Sequence, residues 1–162
     1  PQWDSKQFDY QVRVNFLGLA KAVSIVLPGM MKRNSGAIVG ISSASGYTPL
    51  PRAEAYGSSK AAVMYFLQSL RIDLVHTKIE VIEVNPGFID TPLTQKNDHK
   101  MPFLMSAELA AKKIYNAIEK KKALFIFPWQ MSFLMRFSEI IPRCLYRLVV
   151  RWGMKIVLAR SS

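Results

Sequence analysis

Short apolar runs alternate with long segments of helical period, and this alternation constrains the fold more than any other feature of the sequence. Residues 10 to 32 carry Val12, Phe16, Leu19, Val23, Val26, Leu27 and Met30 at near-helical spacing, the pattern of a helix with one apolar face. Pro28 falls near its end and is expected to kink or close it. Asn34-Ser35-Gly36 reads as a turn, and Ala37 to Ile41 as a short buried strand. Ser42 to Arg52, with Gly46, Pro49 and Pro51, is a loop. Glu54 to His76 reads as a second long helix. Lys78 to Val84 reads as a second strand, stopped by Asn85-Pro86-Gly87. Phe88 to Met105 has the look of a loop or lid with a short helical piece. Ser106 is a good N-cap for a helix running to about Lys121, and Leu124 to Phe127 is a third strand.

Alternation of this kind argues for parallel strands joined by right-handed crossovers. The expected fold is therefore α/β, with three strands and flanking helices in residues 1–127 and a C-terminal helical extension in residues 128–162. Three parallel strands are few for such a sheet, and the first exposes an edge where a neighbour belongs. The chain begins with Pro1, not Met. The expectation is that a preceding segment of a longer reading frame completes the sheet.

Composition narrows the function classes. The chain has 162 residues, half of them apolar, which suits one packed domain and argues against disorder. Its single cysteine, Cys144, excludes an internal disulfide and suits a reducing compartment. Two separated histidines, His76 and His99, make no zinc or transition-metal ligand set. The formal charge of +11 invites a nucleic-acid reading, but the basic residues are spread along the chain. Lys120-Lys121-Lys122 closes a helix, where cations suit the dipole. Nucleic acid is not the expected partner.

Tyr56-Gly57-Ser58-Ser59-Lys60 sets a phenol and an ammonium four residues apart, on one face of a helix. A nearby cation stabilises a phenolate, so such a tyrosine can give a proton to a carbonyl oxygen or take one from an alcohol. With 6 tyrosines and 13 lysines in 162 residues, the spacing arises easily by chance. Alone it fits a half-buried tyrosine beside a solvated lysine. Its surroundings add weight. Ser43 ends the first strand thirteen residues before Tyr56, and open parallel sheets bind ligands at the carboxyl ends of strands. Ser43 could hydrogen-bond a substrate carbonyl there, although Ser42, Ser43 and Ser45 also suit ordinary turn chemistry. Asn85 to Pro92 follows the second strand, again at a carboxyl end, and alone reads as a strand-ending turn.

Over roughly residues 8 to 127 the chain resembles the short-chain dehydrogenase/reductases. The matching stretches are Val14-Asn15-Phe16-Leu17-Gly18, Ile41 to Gly46, Tyr56 to Lys60 and Asn85 to Thr91. Each is common alone, and all four in this order are specific. The resemblance implies a partial Rossmann-like, doubly wound parallel sheet comprising the last three strands. It also implies hydride transfer between NAD(H) or NADP(H) and a carbonyl/alcohol pair. Tyr56 would be the general acid/base, and Lys60 would hold the nicotinamide ribose and favour the phenolate. Ser43 would polarise the substrate oxygen, and Asn15 would anchor a water in a proton relay. Pro86, Gly87, Ile89 and Thr91 would contact the nicotinamide end of the cofactor, as would Tyr56 and Lys60. The family's opening glycine-rich turn, T-G-x-x-x-G-x-G, fits none of the glycines at 18, 29, 36, 40, 46, 57, 87 and 153. It is expected before Pro1, so the preference for NAD or NADP is unreadable.

Beyond this core, Arg143, Arg147, Arg151 and Lys155 recur every four residues beside Leu145, Leu148, Val149, Trp152, Ile156 and Val157. Charges at that interval argue against a spanning helix. A basic amphipathic helix with tryptophan suits a membrane interface; packing on the enzyme or at a contact between subunits of a homo-oligomer is the other reading for residues 129–160. Phe88, Met101, Phe103, Leu104 and Met105 in the lid point to a hydrophobic alcohol or ketone, or else simply pack the lid. Two functions stand side by side: a cytoplasmic NAD(P)-dependent oxidoreductase, membrane-associated through its tail, or a catalytically silent fragment that serves as an interaction or membrane-surface module.

Overall fold

The computed structural model describes residues 4–96, 101–148, 150 and 151. Helix α1 spans Ser5–Arg33. It starts where the Asp4 carboxylate accepts the Lys6 N–H and ends where Asn34 turns left-handed at φ 48°, a conformation asparagine tolerates. Pro28 does not close it. The helix runs on to Arg33, and both Pro28 and Ser24, whose carbonyl loses its helical donor, face water. Within α1, Arg13–Leu17 is wound as a π-helix.

Strand β1, Gly36–Ile41, leads through a short 3-10 turn, Ala44–Gly46, into helix α2, Glu54–Asp73. Strand β2, Ile79–Pro86, continues two residues past the expected stop. Pro86 lacks an N–H, but the ladder carries on because Gly87 donates to the Phe127 carbonyl at 2.7 Å. The lid holds a miniature ribbon: β3, Ile89–Asp90, pairs in parallel with β4, Met105–Ser106. A 3-10 turn, Thr94–Lys96, is its short helical piece. Ser106 caps helix α3, Ala107–Glu119, by accepting the Leu109 N–H. Strand β5, Leu124–Phe127, precedes helix α4, Trp129–Ile140, and residues 143–148 are again helical.

The main sheet has the order β1-β2-β5 and is parallel throughout. The central strand β2 is buried at every position except Glu80, and alternation sends its side chains to opposite layers. Ile79 and Val81 join Val23 of α1, Ile38 of β1 and Val63, Leu67 and Leu74 from the α2 side. Ile82 and Val84 join Ala110 of α3 and Phe127 of β5 on the other face. Helices thus cover both faces, as parallel sheets require. Among the described residues β1 is an edge strand, as the sequence leads one to expect. Helix α1 is long and apolar enough to cross a membrane by length and composition. Its Phe16 sits edge-on to Phe66 at 6.1 Å and its Val23 is in the core, so here it serves as a layer helix.

Two glycines let the loop after β1 lie directly on the first turns of α2. A Cβ at Gly46 would stand 2.6 Å from Met64 Sδ and 3.1 Å from the Lys60 and Ala61 backbone; one at Gly57 would stand 3.2 Å from the Ser45 carbonyl oxygen. Gly46→Ala is therefore expected to cost about 1–3 kcal/mol through overpacking. The check is a lowered urea midpoint with an unchanged slope; an unshifted midpoint would contradict this packing.

Candidate active site

Because the main strands are parallel, their carboxyl ends share one edge of the sheet. Ser42 and Ser43 follow β1, Gly87 follows β2 and Pro128 follows β5, while α2 delivers Tyr56 and Lys60 from its N-terminal turns. Two bonds clasp strand end to helix. The Ser42 hydroxyl donates to the Lys60 carbonyl at 2.7 Å, and Lys60 Nζ donates to the Ile41 carbonyl at 3.0 Å. The ammonium stands 5.8 Å from the centroid of the Tyr56 ring. Burial holds the Lys60 ammonium below its ordinary pKa of 10.5, since desolvation disfavours the charged form. Tyr56 is 39% exposed and so open to a ligand.

Ser43 is buried, caps the 3-10 turn and lies within hydrogen-bond distance of Ser45 Oγ, at 2.8 Å. Asn15 reaches the same neighbourhood from α1. Its amide donates at 2.9 Å to Ser59 Oγ, which donates in turn to the Tyr56 carbonyl at 2.8 Å. Asn15 sits in the π-wound turn, a local rewinding frequent at functional sites. Thr91 Oγ1 lies 3.1 Å from Thr94 Oγ1, and Ile89 pairs with Met105 in the ribbon; these two stand one step further along the chain than Pro86 and Gly87. No cluster of three potential metal ligands occurs among the described residues.

A sequence model of the short chain dehydrogenase family matches residues 1–102. The chain belongs to the short-chain dehydrogenase family. It is 36% identical over 140 residues to an uncharacterized oxidoreductase of Myxococcus xanthus, a match covering 86% of this chain and 55% of that protein. It is 36% identical over 90 residues to the very-long-chain 3-oxoacyl-CoA reductase of Anas platyrhynchos, covering 56% of this chain and 29% of that one. The solved short chain dehydrogenase of Burkholderia cenocepacia, in complex with NADP, shares the fold at a TM-score of 0.78 and 22% identity, covering 91% of this chain and 60% of that one. The chain spans about half the length of the curated relatives it matches.

Some polar residues of this short-chain dehydrogenase family member carry no role in the sequence alone. Ser59, almost wholly buried, is the link between Asn15 and the tyrosine turn. Behind the site, Glu83 and Asn85 are fully buried on β2. Asn85 Nδ2 donates to Glu83 Oε1 at 2.6 Å and to the Tyr47 hydroxyl at 2.9 Å, while Gln68 Nε2 donates to Glu83 Oε2 at 3.1 Å. The signal was present: a glutamate and an asparagine interrupt the apolar run of a central strand, where a polar side chain needs a built partner.

A pH prediction follows from Lys60. Its pKa is depressed in the folded chain, so at alkaline pH below 10.5 the unfolded chain binds more protons and stability rises with pH. The stability difference between wild type and Lys60→Met should therefore move in favour of wild type as pH climbs from neutral towards that value. Urea denaturation at a series of pH values reads this directly, and a flat difference would contradict the burial of the ammonium.

Proposed function

We propose that the protein carrying this chain is an NAD(P)-dependent oxidoreductase that interconverts a carbonyl and an alcohol, with Tyr56 as general acid/base. The observation that supports this reading best is the clasp between β1 and α2, which holds Lys60 beside Tyr56 at the end of the sheet. A nicotinamide held by these residues would supply hydride-transfer chemistry at the substrate carbon. In the reducing direction the Tyr56 hydroxyl gives its proton to the carbonyl oxygen; in the oxidising direction its phenolate takes the alcohol proton. The Ser43 hydroxyl donates a hydrogen bond to the same oxygen. Lys60 spends one N–H on Ile41, and its remaining donors fit the hydroxyls of a ribose and favour the phenolate by charge. Asn15, its amide nitrogen fixed on Ser59, would anchor a water in the proton relay. Pro86, Gly87, Ile89 and Thr91 would contact the nicotinamide end of a bound cofactor.

The substrate in this reading is a hydrophobic ketone or alcohol. Phe103 and Leu104 are exposed in the lid, and the Anas platyrhynchos relative is named for a 3-oxoacyl thioester on a very long chain. In the full-length protein, Tyr56→Phe should lower turnover by about a hundred- to ten-thousandfold, the range of acid/base catalysis, while cofactor affinity falls by no more than about tenfold, the loss of one neutral hydrogen bond. Steady-state kinetics with a panel of apolar ketones, beside cofactor titration, makes the measurement. Near-normal turnover in that variant would overturn the assignment.

A second reading is favoured by the open edge of β1 among the described residues: the 162-residue chain alone is catalytically silent. Titration of this chain with NADPH and NADH separates the two. Micromolar binding of either supports an active chain and contradicts the silent one; no binding at millimolar cofactor supports the silent reading.

A further inference from the structure

We propose that helix α4 and the helical residues behind it form a docking surface for an anionic lipid bilayer. The inner face of α4 is accounted for. Met131 and Met135 pack on Ala44 and Tyr47, and Thr48 donates to Ser138 Oγ at 2.8 Å. The outer face should then be polar if it met only water. Instead it carries Trp129, Phe133, Phe137 and Ile140 at successive helical turns, with relative exposures of 75%, 71%, 52% and 79%. Phe133 and Phe137 stack on one another at 6.2 Å without leaving the surface. An apolar stripe of this kind marks a contact surface, and exposed aromatic rings on a helix suit the bilayer interface.

Charge selects the occupant. Residues 143–148 follow as a helical segment, tied back to the body by the Tyr146 hydroxyl, which donates to the Pro49 carbonyl. Leu145 and Leu148 are exposed there, as are Arg143, Arg147 and Arg151. Residues 128–162 hold six basic side chains and one acidic. A second copy of this surface would set arginine against arginine, which disfavours self-association; anionic headgroups complement it. Val149, Trp152, Lys155, Ile156 and Val157, the remainder of the stripe expected from sequence, lie outside the described residues. Because α4 lies on the loop that follows Ser43, docking would set the substrate mouth against the lipid; that consequence alone rests on the oxidoreductase reading.

The test uses the full chain and sedimentation with phosphatidylcholine vesicles, with and without phosphatidylserine. Wild type should bind the phosphatidylserine vesicles at least about tenfold more tightly, and salt should weaken the binding. Arg143→Gln, Arg147→Gln and Arg151→Gln should each cost about fivefold. Trp129→Ser combined with Phe133→Ser and Ile140→Ser should lose at least about tenfold while circular dichroism and the urea midpoint hold. Equal binding to both vesicles, or unchanged binding by the serine variant, would overturn the proposal. So would a dimer in sedimentation equilibrium that the serine variant dissolves. Every readout is independent of turnover, so failure here and failure of the catalytic reading are told apart.

Discussion

The clasp between the end of β1 and the first turns of α2 is the interaction on which the rest of the site depends. Ser42 donates to the Lys60 carbonyl and Lys60 donates back to the Ile41 carbonyl. A strand carbonyl at a sheet edge and a half-buried ammonium each carry a desolvation cost if left unpaired; joined, they offset it and fix the helix in register with the strand. Everything nearby follows from that register. Tyr56 stands one helical turn before Lys60, Ser59 faces inward to meet Asn15, and the Ser43 loop closes over Gly46 and Gly57.

Behind the clasp, polar burial continues into the sheet. Glu83, Asn85, Gln68 and the Tyr47 hydroxyl form one chain of hydrogen bonds, so the loop after Ser43 is tied to the centre of β2. On its outer side the same loop is covered by Met131 and Met135 of α4. Gly87 is pressed between the end of β5 and α4, where a Cβ would lie 3.1 Å from both Met131 and Pro128. Helix α4 is thus packed on the same end of the sheet as the candidate site.

Much of this was legible in the sequence. The strands expected at Ala37 to Ile41 and Leu124 to Phe127, observed at Gly36–Ile41 and Leu124–Phe127, stood out because apolar runs bounded by turn residues have few other uses, and the Ser106 cap because a serine before a helical stretch has a specific role. Tyr56, Lys60 and Ser43 were found by their order and interval, and the structure brings their segments to one end of the sheet. Elsewhere local rules lost to context. Pro28 is carried within α1 because the carbonyl it deprives lies in water, and Pro86 ends β2 because Gly87 supplies the next ladder bond. The π-wound turn at Asn15 left no trace, since rewinding a few residues hardly shifts an apolar period. The outward aromatic face of α4 was hidden too, because its buried methionines and exposed phenylalanines are equally apolar on paper.

The central claim is that four separated stretches of this chain make one hydride-transfer site, and a crystal structure of the full-length protein with NADP(H) or NAD(H) tests it most directly. The account predicts the nicotinamide ring against Pro86 and Gly87, its ribose hydroxyls on Lys60 and Tyr56, and open space between the ring and Ser43 for a carbonyl. A cofactor bound away from the ends of β1 and β2, or a Tyr56 turned from the ring with Lys60 still held by Ile41, would contradict it.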